Sequence, residues 1–359
     1  MRWDASIDIG GRTVSADAPT WFIADIAANH DGDLERAKAL IWRAREAGAD
    51  VAKFQHFLAG KIVSGVGFAE LGAQTAHQAN WKKSVVEVYD QYHTRRDWTA
   101  ALVETCQAAD IAYMTTPYDA EALESQLPHV PAIKIGSGDI TFASLVEACA
   151  TTGKPILLAT GAADMADVDE AVELILAKTR KLVLMQCNTN YTGSAENFAH
   201  VNLRVLHSFA ARWPAMVLGF SDHTPGHSAV LGAVAYGARV IEKHFTDDNG
   251  REGPDHAFAL NPVTWRAMVE ATRELEAALG DGVKRVEANE RDTVVVQRRA
   301  VRLRADRPAG HVLTEADLES LRPCPADAVD PRRIDEVLGR PLGVAKTAGE
   351  ALRWTDLSS

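Results

Sequence analysis

The chain is poor in cysteine and has no segment suited to a membrane, and each shortage removes a class of protein. Four cysteines stand among 359 residues. Cys106, Cys149, Cys187 and Cys324 share no Cys-x-x-Cys spacing, which argues against a zinc knuckle and against a disulfide scaffold. A reducing, cytoplasmic setting is expected. No apolar run approaches the ~18 residues a spanning helix requires, and the opening MRWDASIDIGGRT lacks the basic-then-apolar order of a signal peptide. Basic residues are outnumbered, 38 Lys and Arg against 49 Asp and Glu, for a net charge of −11. That background repels nucleic acid and anionic membranes, so neither is expected as a partner, and an anionic substrate would need a local cluster of positive groups.

What is present is an alternation. Short aliphatic or β-branched runs recur at 21–27, 51–55, 111–116, 132–137, 155–160, 182–187, 216–221 and 239–244, eight in all. Segments with helical spacing lie between them. In LERAKALIWRAREAG, residues Leu34, Ala37, Leu40, Ile41 and Ala44 form one face, Asp33 is placed to cap the start and Gly48 to stop the end. Near-continuous apolar strands alternating with helices imply a parallel sheet, and eight such units over about 250 residues imply a (β/α)8 TIM barrel of the α/β class. The competing open sheet is disfavoured because the first run is followed by NHDGD, which is no glycine-rich dinucleotide turn. The stretch 56–95 exceeds an ordinary strand-to-helix loop, and such loops tend to be functional. After 263–279 the rhythm is lost to short, Gly/Pro-punctuated strands. A barrel domain over 1–285 and a small, mostly β domain over 286–359, opened by a linker, are expected.

Residues at the carboxyl ends of barrel strands line the active site. That rule collects Asp25, Asn29 and His30; Lys53 and Gln55; Thr115 and Thr116; Lys134, Ser137 and Asp139; Thr160; Asn188 and Tyr191; Ser221 and Asp222. His223 and His244 follow the last two strands, neighbours in the ring, so both rings can reach one point. Lysines and hydroxyls suit a phosphate or carboxylate. Neutral imidazoles suit a divalent metal. A lone strand-end histidine is commonly a structural residue, the reading given to His129, His200 and His207. The shared position of His223 and His244 favours metal, and lysine inside apolar strand text is unusual unless it points into a polar barrel mouth. His227 is expected to start the next helix.

The motifs ADIAANHDGDLERAKALIWRAREAGADVAKFQ, TTPYD, KIGSGD, ATG, GFSDHTPGH and EKHFTDDNGREGPDHAFALNP, in that order, resemble the N-acetylneuraminate (sialic acid) synthase family over essentially the whole chain. The tail resembles that family's antifreeze-like (SAF) domain. The resemblance implies condensation of phosphoenolpyruvate with the open-chain aldehyde of an amino sugar. It places metal ligands on His223 and His244, phosphoenolpyruvate contacts on Lys53, Lys134, Ser137 and Ser221, and sugar contacts on Tyr191 and Asp255. It implies a domain-swapped homodimer in which Arg322 reaches the partner's sugar site. The expected cofactor is a divalent metal, Mn2+ first, with Mg2+ or Co2+ as alternatives. Asp25, Asp139 and Asp255 are the candidates for proton handling, and Asn29, Gln55, Thr116, Thr160 and Thr189 complete the expected binding set. This chain has Asp25 and Asp139 where the family has glutamate, each carboxylate drawn back by about 1.5 Å. It has Ala159 for a serine and Thr189 for an asparagine. Those departures bear on the acceptor: N-acetylmannosamine or a 2,4-diacetamido sugar leads, and another specialised aldehyde or a non-catalytic sugar-binding role are the competing readings.

Overall fold

The computed structural model describes residues 2–72, 78–79 and 81–358. The chain divides into two compact units, Met1–Gly280 and Asp281–Ser359. In the first unit a hairpin of β1 (Ser6–Ile9) and β2 (Arg12–Ser15) precedes eight strands: β3 (Trp21–Asp25), β4 (Val51–His56), β5 (Ala112–Pro117), β6 (Ile133–Ile135), β7 (Ile156–Ala159), β8 (Leu182–Cys187), β9 (Val217–Asp222) and β10 (Ala238–His244). These eight close into a parallel barrel in sequence order, with β10 paired to β3. Each expected apolar run contributes one strand, and helices lie between them.

Side chains alternate across a strand, so every second residue faces the barrel axis. One parity class reads Trp21, Ile23, Asp25 on β3, Val51, Lys53, Gln55 on β4, and Val240, Glu242, His244 on β10. On β5, β8 and β9 it runs Met114 to Thr116, Val183 and Met185 to Cys187, and Val217 to Ser221. The amino-terminal half of each series is apolar and packs into one buried cluster. Its carboxyl half is polar. The opposite parity, including Phe22, Phe54, Ile135, Leu158, Leu184, Phe220 and Ile241, packs against the helices. The barrel is therefore filled at its amino-terminal end and chemically equipped only at the other.

The hairpin seals the filled end. Ile7, Ile9 and Val14 join the cluster inside the barrel. Gly10 and Gly11 both have positive φ, 63° and 85°, which a two-residue hairpin turn of this kind demands. The first helix, Leu34–Glu46, runs as its spacing implies: Asp33 accepts from the N–H groups of Glu35 and Arg36, Ala37, Leu40, Ile41 and Ala44 are buried, and Gly48 follows at φ 97°. His227 is the N-cap residue of the helix Ser228–Ala235.

The second unit is built of short pieces. β11 (Ala300–Leu303) and β12 (Leu318–Leu321) pair antiparallel, and isolated bridges tie Arg302 to Ala351 and Leu342 to Leu357. Its core is Val301, Leu303, Leu313, Leu318, Val329, Val337, Leu342 and Leu352. Arg291–Gln297, at its start, is an exposed helix. None of the described helices is long and apolar enough to cross a membrane.

Candidate active site

The polar halves of the inward series meet in one layer. Lys53 Nζ on β4 donates to Asp25 Oδ2 at 2.8 Å and to Thr116 Oγ1 at 3.2 Å, and Gln55 Nε2 donates to the same Asp25 oxygen at 2.9 Å. Lys134 Nζ on β6 donates to Glu242 Oε1 at 3.0 Å, with Lys53 Nζ 3.8 Å from that oxygen and Ser221 Oγ donating to it at 3.4 Å. Lys53 is thus held by a carboxylate on the neighbouring strand β3 and Lys134 by one across the barrel on β10. Lys53, Lys134 and Glu242 are only 1%, 3% and 4% exposed. For Asp25 and Lys53, desolvation opposes charge and the pairing outweighs it. Burial pushes the Asp25 carboxyl up, but Lys53 and His244 hold it below the ordinary range. Burial pulls Lys53 down, but Asp25 and Glu242 hold it above its ordinary value. Asp25 Oδ1 and Glu242 Oε2 are buried with no hydrogen-bond partner, acceptors that await a donor.

The two histidines lie side by side. Their ring centroids are 5.4 Å apart. His223 donates from Nδ1 to the Asn188 carbonyl at 3.0 Å, which leaves the Nε2 lone pair available, the usual arrangement of a ligating imidazole. His244 stands between two carboxylates: Asp25 Oδ2 is 3.8 Å from Nε2 and Asp255 Oδ2 is 3.4 Å from Nδ1. Burial pulls the His244 imidazole down, and these two acids more than offset it, so it stands above its ordinary value. His244 Nδ1 is buried without an aligned hydrogen bond. Among the described residues no group of three or more His, Cys, Asp or Glu is placed to hold a metal. A pair of imidazoles with an orphaned carboxylate oxygen nearby nonetheless has the donor chemistry of an open, partly solvated divalent site.

Beside this layer lies a cavity of about 150 Å3. Gln55 and His244 line it from the strands, Tyr191 and Asp255 from the loops after β8 and β10, and Phe57, Ile62, Trp81, Val88, Tyr89 and Tyr92 from the long stretch after β4. The Tyr191 ring meets His223 edge-on at 4.5 Å and Phe258 at 5.6 Å. On the β6–β8 side, Gly161 N–H donates to Ser137 Oγ at 3.0 Å, and Thr189 Oγ1 lies 3.7 Å from Cys187 Sγ. A Cβ on Gly161 would fall 1.8 Å from Thr189 Oγ1 and 2.9 Å from Ser137 Oγ, so only glycine fits there. Burial pulls the Cys187 thiol up, and His223, Ser137 and Lys134 bring it below its ordinary value. Burial alone pushes Asp139 up to about 6.

The expected residues therefore fall into groups. Asp25, Lys53, Gln55, Thr116, Lys134, Ser221, His223 and His244 converge on the carboxyl end of the barrel, with Tyr191 and Asp255 on its cavity. Ser137, Thr160 and Thr189 gather on the β6–β8 side, where Thr160 Oγ1 donates to the Met185 carbonyl at 3.0 Å. Asn29 is wholly buried and donates to the Phe245 carbonyl at 2.9 Å, and it is absent from the cavity lining. Arg322 belongs to the second unit, where its Nε donates to the Gln297 carbonyl at 2.6 Å. Thr115 and Asp222 have the outward parity. Asp222 accepts from Lys243 Nζ at 2.5 Å on the helix side of the sheet. Glu242 is the site residue that sequence reasoning passed over, although a glutamate inside the apolar text of β10 carries the same signal as Lys53 and Lys134. Part of the expected long loop, 73–77 and 80, lies outside the described residues.

The chain is 32% identical to the N,N'-diacetyllegionaminic acid synthase of Legionella pneumophila over 352 residues, covering 94% of this chain and 95% of that one. It is 30% identical to a pseudaminic acid synthase of Campylobacter jejuni over 345 residues, covering 95% and 98%. Among solved structures, it is similar to the N-acetylneuraminic acid synthetase of Leptospira borgpetersenii, determined with citrate, with TM-score 0.69, 27% identity and coverage of 80% and 95%. A SAF domain model matches residues 298–358. The NeuB family model matches residues 40–284, and the chain belongs to that family of sialic and nonulosonic acid synthases.

Proposed function

We propose that the protein condenses phosphoenolpyruvate with the open-chain aldehyde of an amino sugar, N-acetylmannosamine or a related aldose, to give a nonulosonic 2-keto acid and phosphate. The observation that carries this reading is the buried lysine pair on β4 and β6, set beside a cavity that His244 and Asp255 border. In a chain of net charge −11, rigidly held ammonium groups give an enol phosphate its counter-charge and its orientation. Fixing C3 near the aldehyde carbon can supply several kcal/mol of the barrier. C3 forms the new carbon–carbon bond, water adds at C2, and the C2–O bond breaks to release phosphate. The added water gives up two protons as its oxygen becomes the C2 carbonyl, one ending on the former aldehyde oxygen and one on the departing phosphate. Asp139, poised near 6, and Asp25 and Asp255 are the carboxyls available for that traffic. His223 and His244 would hold a divalent cation, Mn2+ first, and such an ion supplies Lewis-acid polarisation of the aldehyde oxygen.

The test is incubation of the full chain with phosphoenolpyruvate, Mn2+ and a panel of aldoses, following phosphate release and product mass. Absence of turnover with every acceptor overturns the reading. His223→Ala and His244→Ala are each expected to weaken Mn2+ binding at least ~10-fold by calorimetry, and unchanged affinity removes the metal from the scheme. The functional unit on this reading is a homodimer in which each copy completes its partner's site with Arg322. Cutting the chain after residue 285 should then abolish most turnover and leave a folded barrel. The four cysteines are unpaired, in keeping with a cytoplasmic enzyme.

A further inference from the structure

Resting on the condensation reading above, we propose that Tyr118 is a further catalytic residue: its hydroxyl, together with the Asp139 carboxyl, seats the water that adds at C2 of the enol phosphate. Tyr118 follows β5 directly, and its backbone N–H donates to the His56 carbonyl at 3.0 Å. Its ring meets Phe57 edge-on at 5.8 Å, at one end of the aromatic wall, and lines the cavity with Gln55, Tyr191 and His244. The hydroxyl end reaches past that wall to the neighbouring strand. A Cβ on Gly136 would lie 3.3 Å from Tyr118 Oη and 3.7 Å from Thr116 Cγ2. Gly136 stands between Lys134 and Ser137 in sequence, and its carbonyl accepts the Asp139 N–H at 3.1 Å. The phenol thus stands against the turn that carries Asp139.

The chain satisfies neither group. Among the described residues none hydrogen-bonds to the Tyr118 hydroxyl, and Asp139 Oδ2 is buried without a partner. A phenol and a carboxylate oxygen left unpaired at one turn are the two partners that a bound water requires. Their roles divide by acidity. Burial pushes the phenol well above its ordinary value, and Tyr191, Asp139, Asp25 and Tyr89 add to the rise, so Tyr118 keeps its proton. Asp139, near 6, is ionised at neutral pH and is the base. Once C3 has bonded to the aldehyde carbon, C2 is short of electrons and the water oxygen bonds to it. One water proton goes to the Asp139 carboxylate, which passes it to the former aldehyde oxygen. The other leaves with the phosphate as the C2–O bond to that group breaks. Before the step, Tyr118 Oη accepts that second O–H as a hydrogen bond, which turns a lone pair of the water towards C2.

The full chain, Tyr118→Phe, Asp139→Asn and the double variant are assayed with phosphoenolpyruvate, Mn2+ and whichever aldose of the panel is converted fastest. Phenylalanine removes the hydroxyl alone, so kcat should fall about 100-fold, with both KM values within about twofold of the parent and the thermal midpoint unchanged. Because the two groups act on one water, the double variant should be no slower than the slower single variant. Gly136→Ala, which presses on the phenol oxygen, is a second route to a loss in kcat with both KM values kept. An unchanged kcat in Tyr118→Phe, a rise confined to the aldose KM, or losses that multiply in the double variant overturns the inference, and turnover by the parent leaves the condensation reading standing. A parent that releases no phosphate with any aldose sinks both.

Discussion

Asp139 offers a sharp test of the electrostatics at the barrel mouth. Its carboxyl sits on the short helical turn after β6, with Oδ2 buried and unpartnered. Burial is the whole cause of its rise from 3.8 to about 6. Between those two values the folded chain holds a proton that the unfolded chain has lost, so unfolding releases protons and stability falls as pH rises through this window. At pH 7.5 the folded protein carries an ionised, poorly solvated carboxylate, and below about pH 4 both states are protonated and the penalty is gone. The interval corresponds to a ceiling of about 3 kcal/mol at 1.36 kcal/mol per pH unit, and partial solvent access reduces it to about 1–2 kcal/mol. Asp139→Asn removes the charge with little change of volume. It should stabilise the barrel by that amount at pH 7.5, seen as a thermal midpoint higher by about 2–6 °C, with the gain vanishing towards pH 4. A variant less stable than the parent at pH 7.5, or a gain independent of pH, refutes the argument. A carboxylate kept at such a cost in a catalytic mouth is what proton transfer near neutrality requires, so the same variant should lose turnover while it gains stability.

Glu242→Ala should cost about 3–5 kcal/mol, because it strands the Lys134 ammonium in the barrel interior; chemical denaturation reads this, and a loss under 1 kcal/mol would show that the pairing carries little. Gly161→Ala should destabilise by about 1–3 kcal/mol through the collision with Thr189 and Ser137, and adding Thr189→Ala should restore part of it in a double-mutant cycle. Independent, additive effects would place the two residues apart. His256, which donates from Nε2 to Asp31 Oδ1 at 2.8 Å and shares a 2.7 Å contact with Thr246, holds the segment that carries Asp255. His256→Ala should therefore raise the acceptor's KM several-fold with little change for phosphoenolpyruvate, and an equal change in both KM values would contradict that role.

The barrel is legible because strand length, apolar text and helical spacing alternate regularly, and because the inward-facing charged residues sit in the later part of their strands. Asp25, Lys53, Lys134, His223 and His244 could be collected by that rule alone. Strand parity is the finer instrument: it separates inward Thr116 and Ser221 from outward Thr115 and Asp222, and it brings in Glu242. The β1–β2 hairpin went unread because its strands are only four residues each, too short for a pattern, although Ile-Asp-Ile before Gly-Gly is a hairpin signal. The aromatic wall could be anticipated as a functional loop by length. Val85, Val88, Tyr89 and Tyr92 keep helical spacing on the helix Val85–Tyr92, but Phe57 and Trp81 share no period with them and join the wall only through tertiary contact.

The hairpin plug turns the barrel into a cup with one opening. On the proposed reaction, the lysine pair lies at the bottom of that cup and the aromatic cavity nearer its lip. Whatever occupies the bottom has to arrive before the lip is filled, and a sugar already seated would bar the way behind it. Turnover should then follow a compulsory sequence, enol phosphate ahead of aldehyde, and excess sugar should act as a brake that more phosphoenolpyruvate releases.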